Sequence, residues 1–154
     1  MNTPVKVLVR PARKEDYEGW CPLYHGYAEF YKVPMTDEIL QTTWSWIMDE
    51  NHEVEGLLAF LEGEDQPCGL AHVRRMPRPL GGNEIGFLDD MFVNPSSRGN
   101  KVGEALFDAL QQYGQQKGWA KIRWITADDN YRARSLYDKL STKTMWNTYE
   151  MAIE

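Results

Sequence analysis

Residues 84–104 constrain this chain more than any other stretch. An apolar run over 84–93 carries two adjacent acids, Asp89 and Asp90, and stops at Asn94-Pro95. A polar turn over 96–100 then feeds directly into a helical pattern, with Val102, Leu106, Leu110 and Tyr113 on one face and Lys117-Gly118 as its stop. Strand, polar turn and helix start in that order make an anion site, because the first helical N–H groups have no partner inside the helix. The rest of the chain reads as scaffold or substrate wall for this junction.

The 154 residues are enough for one domain, 1–154, with a sizeable core. No apolar run approaches the roughly 20 residues that span a bilayer, and the N-terminus lacks a signal-peptide pattern. Cys21 and Cys68 stand alone, with no C-x-x-C and no His cluster beside them, which argues against a metal site and a disulfide framework. A reduced, cytoplasmic setting is the expectation. The net charge of −6 argues against a general nucleic-acid binder and is compatible with a cationic substrate.

Residues 5–10 alternate apolar and polar positions and stop at Pro11, a strand pattern. Tyr17, Trp20, Tyr24, Tyr27 and Tyr31 fall at steps of three and four, predicting a helix with an aromatic stripe that Pro22 kinks or restarts. Thr36 is the N-cap of a second helix, with Asp37 and Glu38 in its first turn and Ile39, Leu40, Thr43, Trp44 and Ile47 facing inward. Strands over 56–61, 68–75 and 84–93, joined by short loops, predict an antiparallel meander. A strand over 121–126 lies parallel to the focal one through the helical crossover. Asp128 or Asp129 caps a last helix with Ala133, Leu136, Tyr137 and Leu140 on one face, and 145–153 is a final strand. The order is β-α-α-β-β-β-α-β-α-β, a mixed α/β domain without repeats.

Two common phosphate motifs are excluded: the junction lacks G-x-x-x-x-G-K-[ST], and its glycines do not fit the dinucleotide fingerprint. What it does have, Arg98-Gly99-Asn100-Lys101-Val102-Gly103, resembles the acetyl-CoA motif R/Q-x-x-G-x-G/A of the GNAT N-acetyltransferases, with Lys101 in place of the middle glycine. The strand 88–93 and the set Asn130, Ala133, Tyr137 resemble the branch with polyamine- and histone-acetylating members. The order of elements is also that family's, so the resemblance covers nearly the whole chain. It implies a GNAT acyl-CoA N-acyltransferase fold, in which a mostly antiparallel mixed sheet carries a splayed parallel strand pair and helices on both faces.

It further implies direct transfer of an acetyl group from acetyl-CoA to a primary amine, of a polyamine-like small molecule or of a protein lysine or N-terminus. Arg98, Gly99, Asn100, Lys101, Val102, Gly103 and Glu104 would surround the pyrophosphate. Met91, Phe92 and Val93 would line the pantetheine arm, with Asn130 and Ala133 on the far side of the gap. Asp89 takes the place of the branch's base, usually a Glu, and would work through a water; Asp90 and Glu84 are the alternatives, and purely structural acids remain a further one. Strand alternation sends Asp90 to the face opposite Asp89 unless a bulge intervenes. Tyr137 would be the general acid, or part of the apolar stripe of its helix. Tyr27, Phe30 and Tyr31 would wall the acceptor pocket with an aromatic surface suited to cations; core packing is the plainer role.

His72 is a backup base or a structural histidine. The Arg74, Arg75 and Arg78 cluster is a solvated face, or a fit for an acidic acceptor or the adenosine phosphate. A homodimer is expected because dimers are common in the family; no metal, nucleic acid or membrane partner is. The absence of a glycine over 140–144, where family members often carry Gly-Phe, leaves an alternative open: an acyl-CoA-binding regulatory module with the same fold and no turnover. A purely structural domain is the third reading.

Overall fold

The computed structural model describes residues 5–154 and contains β1 Val7–Pro11, α1 Tyr17–Phe30, α2 Asp37–Met48, β2 Val54–Leu61, β3 Gly69–Arg78, β4 Asn83–Val93, α3 Val102–Lys117, β5 Ile122–Trp124 and α4 Tyr131–Leu140. The strands form one sheet in the order β1-β2-β3-β4-β5. The first four pair antiparallel, and β5 joins β4 in parallel after the α3 crossover. This is the mixed, mostly antiparallel sheet that the sequence predicts.

Both faces of the sheet are covered, which is why β2 reads as a continuous apolar run. Leu57 and Ala59 of β2, with Ala71, Val73 and Leu88, pack beneath Val102, Leu106 and Leu110 of α3. Leu58 and Phe60, one position over, pack with Leu70 against Trp20 and Leu23 of α1 and Leu40 of α2. Each large side chain buried in this way contributes about 2 kcal/mol. Among the described residues no helix is long and apolar enough to cross a membrane.

Local signals account for most element ends. Thr36 accepts a hydrogen bond from the Ile39 N–H at 3.2 Å and starts α2. Gly118, at φ +77°, closes α3 in the left-handed conformation. Other elements depart from expectation. The first strand covers Val7–Pro11 rather than 5–10. Pro22 neither kinks nor restarts α1, which runs continuously through it; Trp20 and Leu23, both buried, hold the helix on the sheet on either side of the missing N–H. Ile39 is exposed, and Leu40 alone on α2 is buried. β3 continues through Pro77 to Arg78, pairing with the start of β4 where a loop was expected.

The chain divides into two compact units, the first ending at Trp124 and the second beginning at Ile125. In the second, Asn130 rather than Asp128 or Asp129 is the N-cap of α4. The side-chain amide of Asn130 reaches the Thr126 hydroxyl at 3.5 Å, and Arg134 donates to the Asp128 carbonyl at 2.6 Å. Residues 145–153 form no strand. Their alternation is genuine, but alternation yields a strand only where a neighbouring strand takes up the backbone groups.

Gly26 sets how closely α1 approaches β4, because a Cβ there would meet the Phe92 ring at 2.8 Å. Gly26→Ala should therefore destabilise by about 1 kcal/mol, although alanine is the better helix former by a similar amount. Urea denaturation checks this, and a stabilised variant would show that the approach is not tight.

Candidate active site

β4 carries one residue more than β3 can pair. His72 is opposite Asp90 and Val73 is opposite Leu88, so Asp89 is the extra residue of a β-bulge. The bulge resets the alternation. Leu88, Met91 and Val93 all pack on the α3 side, an odd spacing impossible in a regular strand. Asp90 and Phe92 therefore turn to the α1 side with Tyr24 and Trp20. Asp89 bonds Arg74, which shares its side of β3 with His72 and Leu70. Both acids thus serve the α1 side of the sheet, and the expectation of opposite faces is corrected by the bulge.

Asp90 is held by donors. His72 Nδ1 is 2.8 Å from its Oδ2, and the Tyr24 hydroxyl donates to the same oxygen at 2.9 Å. The indole of Trp20 donates to His72 Nε2 at 2.9 Å. Because an indole N–H can only donate, Nε2 must accept, and the ring proton belongs on Nδ1 facing Asp90. His72 is 2% exposed with both nitrogens engaged, so it orients Asp90 and is not poised to act as a base. Burial raises the pKa of Asp90, but bonds from His72, Tyr24 and Tyr27 outweigh it, and the net shift is downward. Burial and the adjacent Asp90 charge push the Tyr24 and Tyr27 phenols well above their usual range, so both stay protonated donors.

Asp89 is in a different state. Its side chain is 34% exposed, and its one polar partner of note is Arg74, whose Nε donates to Oδ2 at 2.8 Å. Burial, the largest cause, and the neighbouring Asp90 charge raise its pKa against the lowering by Arg74, and the net shift is upward. Neighbouring carboxylates are thereby separated into a fixed anion and an accessible, more basic group. Around them Tyr24, Tyr27 and Tyr31 form a chain of rings, with centroids 5.9 and 4.9 Å apart, leading to the exposed end of α1. The Tyr27 hydroxyl lies 3.4 Å from the Asp89 carbonyl oxygen. Phe30 stacks edge-on with Tyr31 at 5.0 Å. Glu84 is not part of this group: it sits at the start of β4 opposite Pro77, five residues and about 17 Å along the strand from Asp89.

The other edge of β4 faces β5, but that pairing covers only Gly86 to Leu88. The Asn94 N–H bonds the carbonyl of Cys68, the residue just before β3, at 2.7 Å, so alternation turns the N–H groups of Met91 and Val93 toward the unpaired edge and that of Phe92 toward β3. The turn beyond is stiffened by Asn94, which accepts from the Ser96 N–H, and by Asn100, which donates to the Ser97 carbonyl. Gly99 is at φ +92°, and Lys101 at φ 59°, ψ 37° is the left-handed N-cap of α3. No side chain caps the helix start, which leaves the N–H groups of Val102, Gly103 and Glu104 open beside Arg98 and Lys101. The position that holds glycine in the motif requires a positive φ, and lysine occupies it under strain.

In the second unit Asn130 caps α4, Ala133 lies in its first turn and Tyr137 in its last. Among the described residues no group of three or more His, Cys, Asp or Glu side chains is gathered for a metal ion.

The model of the acetyltransferase (GNAT) family matches residues 18–141. The chain is 27% identical over 139 residues to the D-amino-acid N-acetyltransferase HPA3 of Saccharomyces cerevisiae, covering 90% of this chain and 86% of that protein. It is 27% identical over 140 residues to the thialysine N-epsilon-acetyltransferase of Caenorhabditis elegans, covering 87% and 84%. Its fold resembles that of the ribosomal-protein-alanine N-acetyltransferase from Brucella melitensis, with a TM-score of 0.79 at 21% identity over 96% of this chain and 99% of that one.

Two substitutions check the site's construction. Asp90→Asn should cost about 2 kcal/mol at pH 7, since it removes a charged acceptor of several bonds. A lowered carboxylate pKa stabilises the fold above the ordinary value of 3.8 and loses that effect as pH falls through the folded value. The gap between wild type and variant in urea denaturation should therefore close below about pH 4; a gap independent of pH would contradict the network. Lys101→Gly should raise stability by about 1 kcal/mol through relief of the left-handed strain, and no gain would mean the turn adapts to lysine without cost.

Proposed function

The chain belongs to the acetyltransferase (GNAT) family, which makes it an acetyl-CoA-dependent N-acetyltransferase, and on that premise we propose that it acetylates a cationic primary amine brought to the α1 side of β4. The observation that carries this reading is the pairing of a fixed carboxylate, Asp90, with an accessible one of raised pKa, Asp89, beside a chain of tyrosine rings. Aromatic faces and a buried anion suit an alkylammonium group. The relatives are named for acetylating D-amino acids and thialysine, which favours a small molecule over a protein lysine or N-terminus.

The residues present fit the cosubstrate. The N–H groups of Met91 and Val93 point to an edge that no strand fills, and an amide-rich pantetheine arm is suited to bond there as an added strand. The open start of α3, with Arg98, Gly99, Asn100, Lys101, Gly103 and Glu104 around it, matches a pyrophosphate. By resemblance to the family's motif, Asn130 and Ala133 are also assigned to the cosubstrate in this reading. When bound, acetyl-CoA supplies the electrophilic thioester.

An aliphatic ammonium, with a pKa of about 10, must lose a proton before it attacks. Asp89 takes that proton through a water, and its raised pKa and exposure suit the task. Asp90, whose Oδ2 already takes two donors, holds the ammonium in register through its charge instead of accepting its proton. Tyr24 and Tyr27 keep Asp90 charged. Tyr137 holds the proton that the departing sulfur acquires. A cytoplasmic homodimer completes the reading.

Thiol release from acetyl-CoA with a panel of amines tests the proposal. Turnover should be acceptor-dependent, and Asp89→Asn and Tyr137→Phe should each lower kcat on the order of a hundredfold. Unchanged kcat in both variants would overturn these roles. A thermal shift with acetyl-CoA but no turnover with any amine would favour a regulatory module instead.

A further inference from the structure

One row of the sheet, next to the bulge, carries two arginines that the mechanism does not use. Arg74 on β3 is opposite Phe87 on β4, and Phe87 is opposite Arg123 on β5. Ile122 and Trp124 pack on the α3 side. Arg123, between them, therefore projects to the α1 side. Arg74 and Phe87 lie on that same side, with the Arg74 guanidinium 4.7 Å from the centre of the Phe87 ring. Two arginines thus flank Phe87 in the row, with backbones about 10 Å apart across two strand spacings.

Neither arginine is satisfied by the protein. Arg74 uses its Nε on Asp89, and its two terminal nitrogens bond no described residue. Arg123 is half-buried and forms no hydrogen bond or ion pair with any described residue. The row holds two positive charges against the single carboxylate of Asp89, since Asp90 is committed to His72 and Tyr24. A di- or polycation would meet an uncompensated positive charge here. A carboxylate would meet a fork of free N–H donors stacked on an aromatic ring, the geometry in which arginine binds carboxylates best.

We infer that the acceptor bears a carboxylate as well as its amine, and that Arg74 and Arg123 bind this carboxylate while the amine lies at Asp89 and Asp90. The row is two residues along β4 from Asp89, about 7 Å, and the backbones of the two arginines are two strand spacings apart. Their long side chains span those distances, and Arg74 already reaches Asp89 at 2.8 Å, so a carboxylate on its terminal nitrogens lies next to an amine at Asp89, as the two groups do in a small amino acid. The inference rests on the acetyl-transfer reading above and narrows its substrate class from cationic amines to zwitterions.

The test uses the full chain with acetyl-CoA and a panel of amino acids, each set beside its carboxamide and its decarboxylated amine. The acids should be preferred by at least about tenfold in kcat/KM, with the difference carried by KM. Arg74→Gln and Arg123→Gln should each bring the acid-to-amide ratio toward one, and Arg74→Lys should retain part of it. The ratio separates recognition from structural damage, which would slow acid and amide alike. Amides and simple amines used as well as the acids, or a ratio unmoved by both glutamine variants, would overturn the inference alone. No turnover with any amine would overturn the transfer reading and this inference with it.

Discussion

One extra residue in β4 is the constraint on which the site depends. Without the bulge at Asp89, alternation would put Asp90 among the apolar side chains beneath α3, and Met91 against Trp20 and His72. With it, Asp90 meets three neutral donors on the α1 side, and Leu88, Met91 and Val93 still fill the opposite core. The same interruption falls where the pairing with β5 ends, at Leu88. A single strand therefore offers carboxylates on one face and backbone donors along one edge. An acyl-transfer site needs both within a bond or two of each other.

The buried chain from Trp20 through His72 to Asp90 keeps the bulge from sliding. Each member has one role open to it: the indole donates, the imidazole accepts and donates, and the carboxylate accepts. A slip of register would leave a buried imidazole and a buried carboxylate unpaired, each at a cost of several kcal/mol. Fixing Asp90 in this way has a chemical consequence, since an anion held by several donors is a poor proton acceptor. The more exposed Asp89 is left as the group able to take one. Division of labour between adjacent residues follows from their different desolvation and partners.

Much of this could be read from the sequence, for identifiable reasons. The junction over 84–104 announces itself through local chemistry: an apolar run, a proline-stopped strand, glycines and a helical stripe. Lys101 stood out as a departure from the motif, but the backbone angle that makes the position favour glycine is visible only in three dimensions. The side to which Asp90 turns depends on a register shift set by β3, eighteen residues away, and no local pattern encodes it. His72 could not be ranked because its partner Trp20 lies 52 residues distant. Arg74 looked like one of three solvated arginines, and its neighbour Arg123, on another strand, carried no signal at all. The alternation at 145–153 looked like a strand because periodicity describes a face and says nothing about whether a partner is present.

In the proposed reading the unpaired edge of β4 and the uncapped start of α3 receive one molecule together. Residue-resolved amide hydrogen exchange, with and without acetyl-CoA, tests it most directly. The N–H groups of Met91, Val93, Val102, Gly103 and Glu104 should slow together on addition of acetyl-CoA, while that of Phe92, already turned to β3, changes little. Protection that bypasses Met91 and Val93, or that slows Phe92 in their place, would contradict it.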